Sequence, residues 1–270
     1  MNPGNRDIQT RLPGVQSLCR LHIKGRNRRL IRLENVSWTL PEGGDIIRDL
    51  NLTIPGGKLT VVTGPNGGGK TTLAKLIAGL AKPSAGRIWL EGEDITSLDV
   101  TQRARLGISF GFQTPVRFKG LTVQDLLETA AGRALDFDTL CDITGKVGLC
   151  TVDYVDREVD ARLSGGEIKR VEIASVLARG TQVSIFDEPE AGIDMWSFKG
   201  LVDVFNRLKR EKRTLIIISH QQRLIDIADE ILVLSEGQVR DQGPREAVLP
   251  GLLAGEIAGF CPVGRREKAQ

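Results

Sequence analysis

The run Gly64-Pro65-Asn66-Gly67-Gly68-Gly69-Lys70-Thr71-Thr72 constrains this chain more than any other stretch. It matches the pattern G-x-x-x-x-G-K-[ST] and lies between a β-like run, Leu59 to Thr63, and an apolar stripe at Leu73, Leu76, Ile77 and Leu80. Those four positions fall at i, i+3, i+4 and i+7, the spacing of one helix face, so the segment predicts strand, glycine loop and helix in succession. Glycines let backbone N–H groups curl around phosphate oxygens, and the helix N-terminus adds partial positive charge at the same spot. Lys70 is placed to reach the β- and γ-phosphates of a nucleotide, and the Thr71 hydroxyl to ligate Mg²⁺.

The rest of the chain supplies a sheet for that loop. Leu30 to Leu40, Asp49 to Ile54, Leu59 to Thr63 and Arg87 to Leu90 read as strands. Gln182 to Phe186, Thr214 to Ser219 and Glu230 to Leu234 are each rich in Ile, Val, Leu or Phe, as expected of strands covered on both faces. Helices are predicted from Glu167 to Ala178 and from Trp196 to Lys209. Residues 121–160 change character, with Leu121, Val123, Leu126 and Leu127 followed by many acids, and read as a helical insert. The expected organisation is an α/β domain over residues 30–240 with a helical subdomain at about 114–160. A basic, flexible N-terminal extension over 1–29 precedes it, and a C-terminal tail over 241–270 follows.

A second constellation sits where such a sheet binds ligands. Val183-Ser184-Ile185-Phe186 runs directly into Asp187-Glu188, so two carboxylates emerge together at the C-terminal end of a buried strand. Adjacent acids there call for a cation. Asp187 is expected to hold Mg²⁺, and Glu188 to polarise the water that attacks the γ-phosphate.

Charge and composition narrow the partners. The net charge is +3, yet residues 1–32 hold eight Lys or Arg against one acid, Asp7, so the folded body is negative. Direct nucleic-acid binding would spread positive charge over that body, and is not expected. No apolar run approaches the roughly 18 residues of a membrane-spanning helix, so no direct membrane insertion is expected either. Cysteines at 19, 141, 150 and 261 lack the close spacing of zinc or redox motifs. Four free thiols in a reducing cytoplasm is the expectation, contact of one with a sulfur or iron ligand the alternative.

With these residues in place the chain resembles the ABC class of ATPases from about residue 30 to 240. Leu163-Ser164-Gly165-Gly166-Glu167 is similar to that family's signature, a serine and two glycines at a helix start that also reads as an N-cap with a capping box. The resemblance implies a P-loop NTPase (RecA-like) core with an antiparallel β subdomain and a helical subdomain, and Mg²⁺-dependent ATP hydrolysis. It also implies that Ser164, Gly165 and Gly166 grip the γ-phosphate held by a second copy, giving an ATP-dependent dimer. Gln113, in Phe110-Gly111-Phe112-Gln113, resembles the Q-loop glutamine that contacts Mg²⁺ or the attacking water. Ala191-Gly192-Ile193-Asp194 resembles the D-loop at the dimer interface, and His220 the switch histidine on the γ-phosphate. Where the family stacks an aromatic ring on adenine this chain has Leu40, with Trp38 two residues earlier, which puts base stacking in doubt.

Within the class, Glu167 and Glu172 in Leu163-Ser164-Gly165-Gly166-Glu167-Ile168-Lys169-Arg170-Val171-Glu172-Ile173 resemble the SufC-like ATPases of iron–sulfur cluster assembly. His220-Gln221-Gln222-Arg223-Leu224-Ile225-Asp226 and the acidic Glu190 point the same way. That resemblance implies a SufB-like scaffold as partner, as in a compact branch of that group. Phe118-Lys119-Gly120-Leu121-Thr122-Val123 and Pro189 look more like the nucleotide-binding subunit of a membrane ABC importer, which stays open as the alternative. A chromosome-maintenance ATPase would need a longer coiled-coil or zinc-bearing insert than this chain contains.

Overall fold

The computed structural model describes residues 30–40, 42–160, 162–193 and 195–254, with no side-chain account of residues 195–197. The chain opens with β1 (Ile31–Thr39), β2 (Asp45–Ile54), β3 (Leu59–Thr63), α1 (Lys70–Ala78), β4 (Ala85–Leu90), β5 (Glu93–Asp94), α2 (Val100–Arg105) and β6 (Ile108–Gly111). Next come β7 (Phe118–Thr122), α3 (Val123–Ala131), α4 (Phe137–Lys146), α5 (Thr151–Tyr154), β8 (Glu158–Val159) and α6 (Gly165–Arg179). It closes with β9 (Val183–Asp187), α7 (Met195–Arg210), β10 (Thr214–Ile218), α8 (Gln222–Asp226), β11 (Glu230–Ser235), β12 (Gln238–Pro244) and α9 (Arg245–Leu253).

These strands form a four-stranded antiparallel sheet ordered β2-β1-β4-β5, a six-stranded sheet ordered β12-β11-β3-β10-β9-β6, and a β7-β8 pair. In the six-stranded sheet only β12 runs antiparallel to its neighbour, among the described residues. The alternation of side chains divides the core in two. Leu59, Val61, Phe186, Leu215, Ile217, Ile231 and Val233 face α7 and the helical insert. Val62, Val183, Ile185, Ile216, Ile218, Leu232 and Leu234 face α1 and the antiparallel sheet. Both faces are therefore covered, and every position of β3, β9, β10 and β11 is buried.

Parallel pairing has one functional consequence: β3, β10, β9 and β6 all end at the same edge. The glycine loop, His220, Asp187-Glu188 and Phe112-Gln113 follow those four ends. This is the edge at which open α/β sheets bind ligands.

The structure departs from the sequence-based expectation in identifiable places. The segment 241–270, expected as a tail, begins with the end of β12 and with α9, whose Val248 and Leu252 are buried; the remainder lies outside the described residues. Its first residues are polar because β12 is an edge strand, and Pro250 inside α9 masks the helical signal. β6 is only four residues long and holds a serine and a glycine, so it carries little periodic signal. The insert contains the β7-β8 pair as well as helices. The N-terminal extension lies outside the described residues, as do Cys19 and Cys261, while Cys141 and Cys150 are free thiols.

Candidate active site

The glycine loop is shaped by backbone demands that only glycine meets. Gly64 has φ 132°, and an added Cβ would lie 2.0 Å from the Leu234 carbonyl oxygen; Gly69 has φ 97° and stands against Ile47 and the Ile46 carbonyl. Between them the Gly68 N–H bonds the Pro65 carbonyl at 3.1 Å, and the Leu73 N–H bonds Gly69 at 2.8 Å to start α1. Asn66 and Gly67 are exposed at the crest of the loop. Lys70 is buried, with its ammonium folded onto the Gly64 and Pro65 carbonyls at 2.8 and 2.9 Å. Burial lowers the Lys70 pKa, against the opposing pull of Glu188 and Asp187, so both carboxylates face this charge.

Next to it the Thr71 hydroxyl donates to Asp187 Oδ1 at 3.1 Å. Asp187 is 2% exposed, and burial raises its pKa although the Thr71 bond opposes the shift. A buried carboxylate with so little hydrogen bonding is a strong acceptor for a cation. The donors gathered here are a carboxylate, a hydroxyl and the amide of Gln113, an all-oxygen set that suits Mg²⁺ once phosphate oxygens complete the shell. Glu188 adopts φ 45°, and its N–H bonds the Ile218 carbonyl at 3.0 Å. This left-handed turn directs the chain away from β9 as the sheet ends. Its carboxylate accepts from Gln113 Nε2 at 2.5 Å. Lys70, Thr71, Asp187, Glu188 and Gln113, drawn from three separate stretches of sequence, thus form one connected site.

His220 is exposed directly after β10, where the buried Ser219 donates to Glu190 Oε1 at 2.5 Å. Burial raises the Glu190 pKa, and Ser219 and His220 draw it back. Asp194 lies outside the described residues. Leu40 is exposed, whereas Trp38 packs on the core against the antiparallel sheet.

The signature residues stand apart from this cluster. Ser164 caps α6, accepting from the Glu167 N–H at 3.3 Å, while its own N–H bonds Glu167 Oε2 at 2.7 Å. Tyr154 donates its hydroxyl to the other Glu167 oxygen. That bond first, then those from Ser164, hold the Glu167 pKa down to about 2. Ser164 and Gly165 are exposed, and nothing lies within 4 Å of a Cβ built on Gly165. The helix tip therefore faces outward.

Residues that sequence reasoning did not place in the site tie α6 to Gln113. Glu172 Oε1 accepts from the Phe112 N–H at 2.7 Å, and the buried Lys169 donates to the Phe112 carbonyl and pairs with Glu172 at 3.0 Å. In the sequence Glu172 stands out only through the resemblance to the SufC-like ATPases, and Lys169 only as a charge three positions before it. Ser219 and Glu190 carried no spacing signal, because β9 and β10 meet only through the sheet.

Comparison with known proteins finds a family and a fold for this chain. The pattern of the family described as ABC transporter matches residues 47–191. An uncharacterized ABC transporter ATP-binding protein of Methanocaldococcus jannaschii, MJ0035, is 36% identical over 75% of this chain and 84% of its own length. The probable ATP-dependent transporter ycf16 of Antithamnion sp. is 35% identical over 79% of this chain and 90% of its own. Among solved structures, the ATP-binding cassette MJ0796, a dimer in a post-hydrolysis state bound to ADP and Pi, superimposes with a TM-score of 0.71. It is 22% identical and covers 80% of this chain and 98% of that one, a likeness of fold.

Proposed function

We propose, from the premise that this chain belongs to the ABC transporter family of ATPases, that it is the SufC-like motor of an iron–sulfur cluster assembly machine. ATP hydrolysis with Mg²⁺ and dimerisation on ATP come with the family. The single observation that carries the catalytic reading is the run of contacts from Thr71 to Asp187 and from Gln113 to Glu188 at one sheet edge.

In the proposed mechanism the loop 64–69 and Lys70 bind the phosphates, and Lys70 leaves its own carbonyls to do so. Thr71, Asp187 and Gln113 would hold Mg²⁺, which would supply charge neutralisation for the developing phosphate charge. Glu188 accepts the proton of the attacking water, and Gln113 orients that carboxylate. His220 contacts the γ-phosphate, and Asp194 belongs to the dimer face. Ser164, Gly165 and Gly166 of a second copy offer a hydroxyl and N–H groups to the same phosphate from the other side.

The partner reading rests on the Q-loop surroundings. Val116 and Phe118 are exposed although apolar, while Val123 and Leu127 beside them are buried in the insert. A groove of about 220 Å³ opens next to Phe112, lined by Leu80, Val100, Phe110, Val176 and Arg179. Exposed apolar surface around the residue that orients the base supports a docked partner whose movement is coupled to hydrolysis. Glu167, Glu172 and Glu190 support a soluble SufB-like scaffold in the cytoplasm as that partner. Among the described residues no helix is long and apolar enough to cross a membrane.

The second reading, the nucleotide-binding subunit of a membrane importer, is favoured by the stretch Phe118 to Val123 and by the transporter names of the relatives. Co-purification separates the two. Recovery of the chain with a soluble scaffold that carries cluster supports assembly, whereas recovery with a polytopic membrane protein replaces it by import.

A further inference from the structure

We propose that Glu190 is a positioning residue for His220, fixing the imidazole so that one ring nitrogen faces the γ-phosphate. The carboxylate is built to be held still at one end and open at the other. Ser219 is 1% exposed, and its hydroxyl accepts from the Gln221 N–H at 3.0 Å, which commits its own proton to Glu190 Oε1 at 2.5 Å. The other oxygen, Oε2, is buried and has no hydrogen-bond partner. A buried carboxylate oxygen without a donor is unfavourable, and a donor must come from a group able to swing onto it.

Two titratable groups face this carboxylate, Glu188 and His220, and only His220 can donate. His220 is exposed at the end of β10, one residue beyond the serine that holds Glu190. An exposed imidazole on a strand end samples several rotamers and both tautomers. A ring N–H donated to Oε2 would select one of each and turn the remaining nitrogen away from Glu190, as the third member of a catalytic triad orients its histidine. Burial raises the Glu190 pKa, and Ser219, then the residue's own N–H, then His220 draw it back, so the two side chains attract. The turn itself does not need the acid: the Ala191 and Ile193 N–H groups bond the backbone carbonyls of Glu188 and Glu190 at 3.0 and 3.1 Å.

This inference rests on His220 acting at the γ-phosphate, so the experiment is a double-mutant cycle in the full chain. kcat and the KM for ATP are measured for wild type, Glu190→Gln, His220→Ala and the double variant, with Glu190→Asp as a rescue. Thermal unfolding of each variant checks folding. We expect Glu190→Gln to lower kcat about tenfold with KM changed less than twofold, Glu190→Asp to restore part of it, and Glu190→Gln to have no further effect once His220 is alanine. Independent, multiplying losses in the double variant would overturn the coupling while leaving the His220 reading intact. A wild-type kcat in His220→Ala would overturn the His220 reading and the positioning role with it. A Glu190→Gln variant that loses stability but not turnover would reduce Glu190 to a structural carboxylate.

Discussion

Gln113 donates a hydrogen bond to Glu188 at 2.5 Å, while Lys70 sits on the carbonyls of its own loop, so the proposed function gives two charges of opposite sign different jobs within one site. Replacing either one separates those jobs. Glu188→Gln keeps shape and loop but removes the base, and turnover should fall by about 10² to 10⁴ with ATP affinity retained. Lys70→Ala should instead weaken ATP binding itself. Titration with a fluorescent ATP analogue beside steady-state turnover checks both, and equal affinity loss in the two variants would contradict the division. A third residue acts on stability. The Tyr154 hydroxyl is the main cause of the low Glu167 pKa of about 2, from an ordinary 4.5, so the ionised carboxylate is worth more in the folded chain than in the unfolded one. Its contribution is present above about pH 4.5 and is lost as the pH falls toward 2. Tyr154→Phe should cost about 1 kcal/mol once solvent screening is allowed for. That corresponds to about 2–4 °C in Tm near neutral pH. The gap to wild type should close as the buffer is taken down through that acid window, and a gap that stays constant would assign the loss to packing.

At the scale of elements, α1 ends locally at Gly79, with φ 79°, but its last carbonyls are held by a residue that no local pattern announces. Arg103, fully buried on α2, donates to the Leu76 and Ile77 carbonyls at 2.6 and 2.9 Å and to Thr96 and Leu98 at 3.1 Å each. It bonds the Ile77 carbonyl and joins the Gly79 N–H on that of Leu76, and burial lowers its own pKa to about 10. Arg103→Met fills similar volume without the donors, so we expect a loss of about 2–4 kcal/mol in urea unfolding. A change below about 0.5 kcal/mol would mean that water takes over those bonds. The same contrast explains what was legible beforehand. β3, the glycine loop and α1 were readable because their signals, a short β-branched run, turn glycines and period 3.6, are local. β9, β10 and β11 were readable because burial on both faces concentrates Ile, Val, Leu and Phe in short runs. The strand order, and with it the meeting of Ser219 with Glu190 and of Lys169 and Glu172 with the Q-loop, was not, since each joins residues related only by folding. Asp187, Glu188 and Gln113 were identified individually, but their connection through one sheet edge required the parallel register.

On the proposed function, the whole molecule presents half of each binding site to the outside. Lys70, Thr71, Asp187 and Glu188 converge at one sheet edge, whereas Ser164 and Gly165 stand exposed at the tip of α6, with every Ser164 hydrogen bond spent inside its own capping box or on the first turn of its helix. A serine hydroxyl and free N–H groups at a helix start favour an anion, and the ATP held by a second copy is the anion the family geometry offers. Two such grips related by a twofold axis close on themselves, so the assembly is a discrete dimer. Its stability must depend on ATP, because the phosphate is the shared ligand. Blocking hydrolysis with Glu188→Gln should therefore make ATP convert monomer to dimer in light scattering, while ADP does not. Adding Ser164→Arg to that background places bulk and charge where the phosphate must approach. The dimer should be lost, ATP affinity of the lone subunit should change by less than about threefold, and Tm should fall by no more than a lost cap costs, about 1 kcal/mol. If Ser164→Arg still dimerises on ATP, the second grip lies elsewhere on the surface. If it also loses ATP binding as a monomer, the helix tip serves its own site.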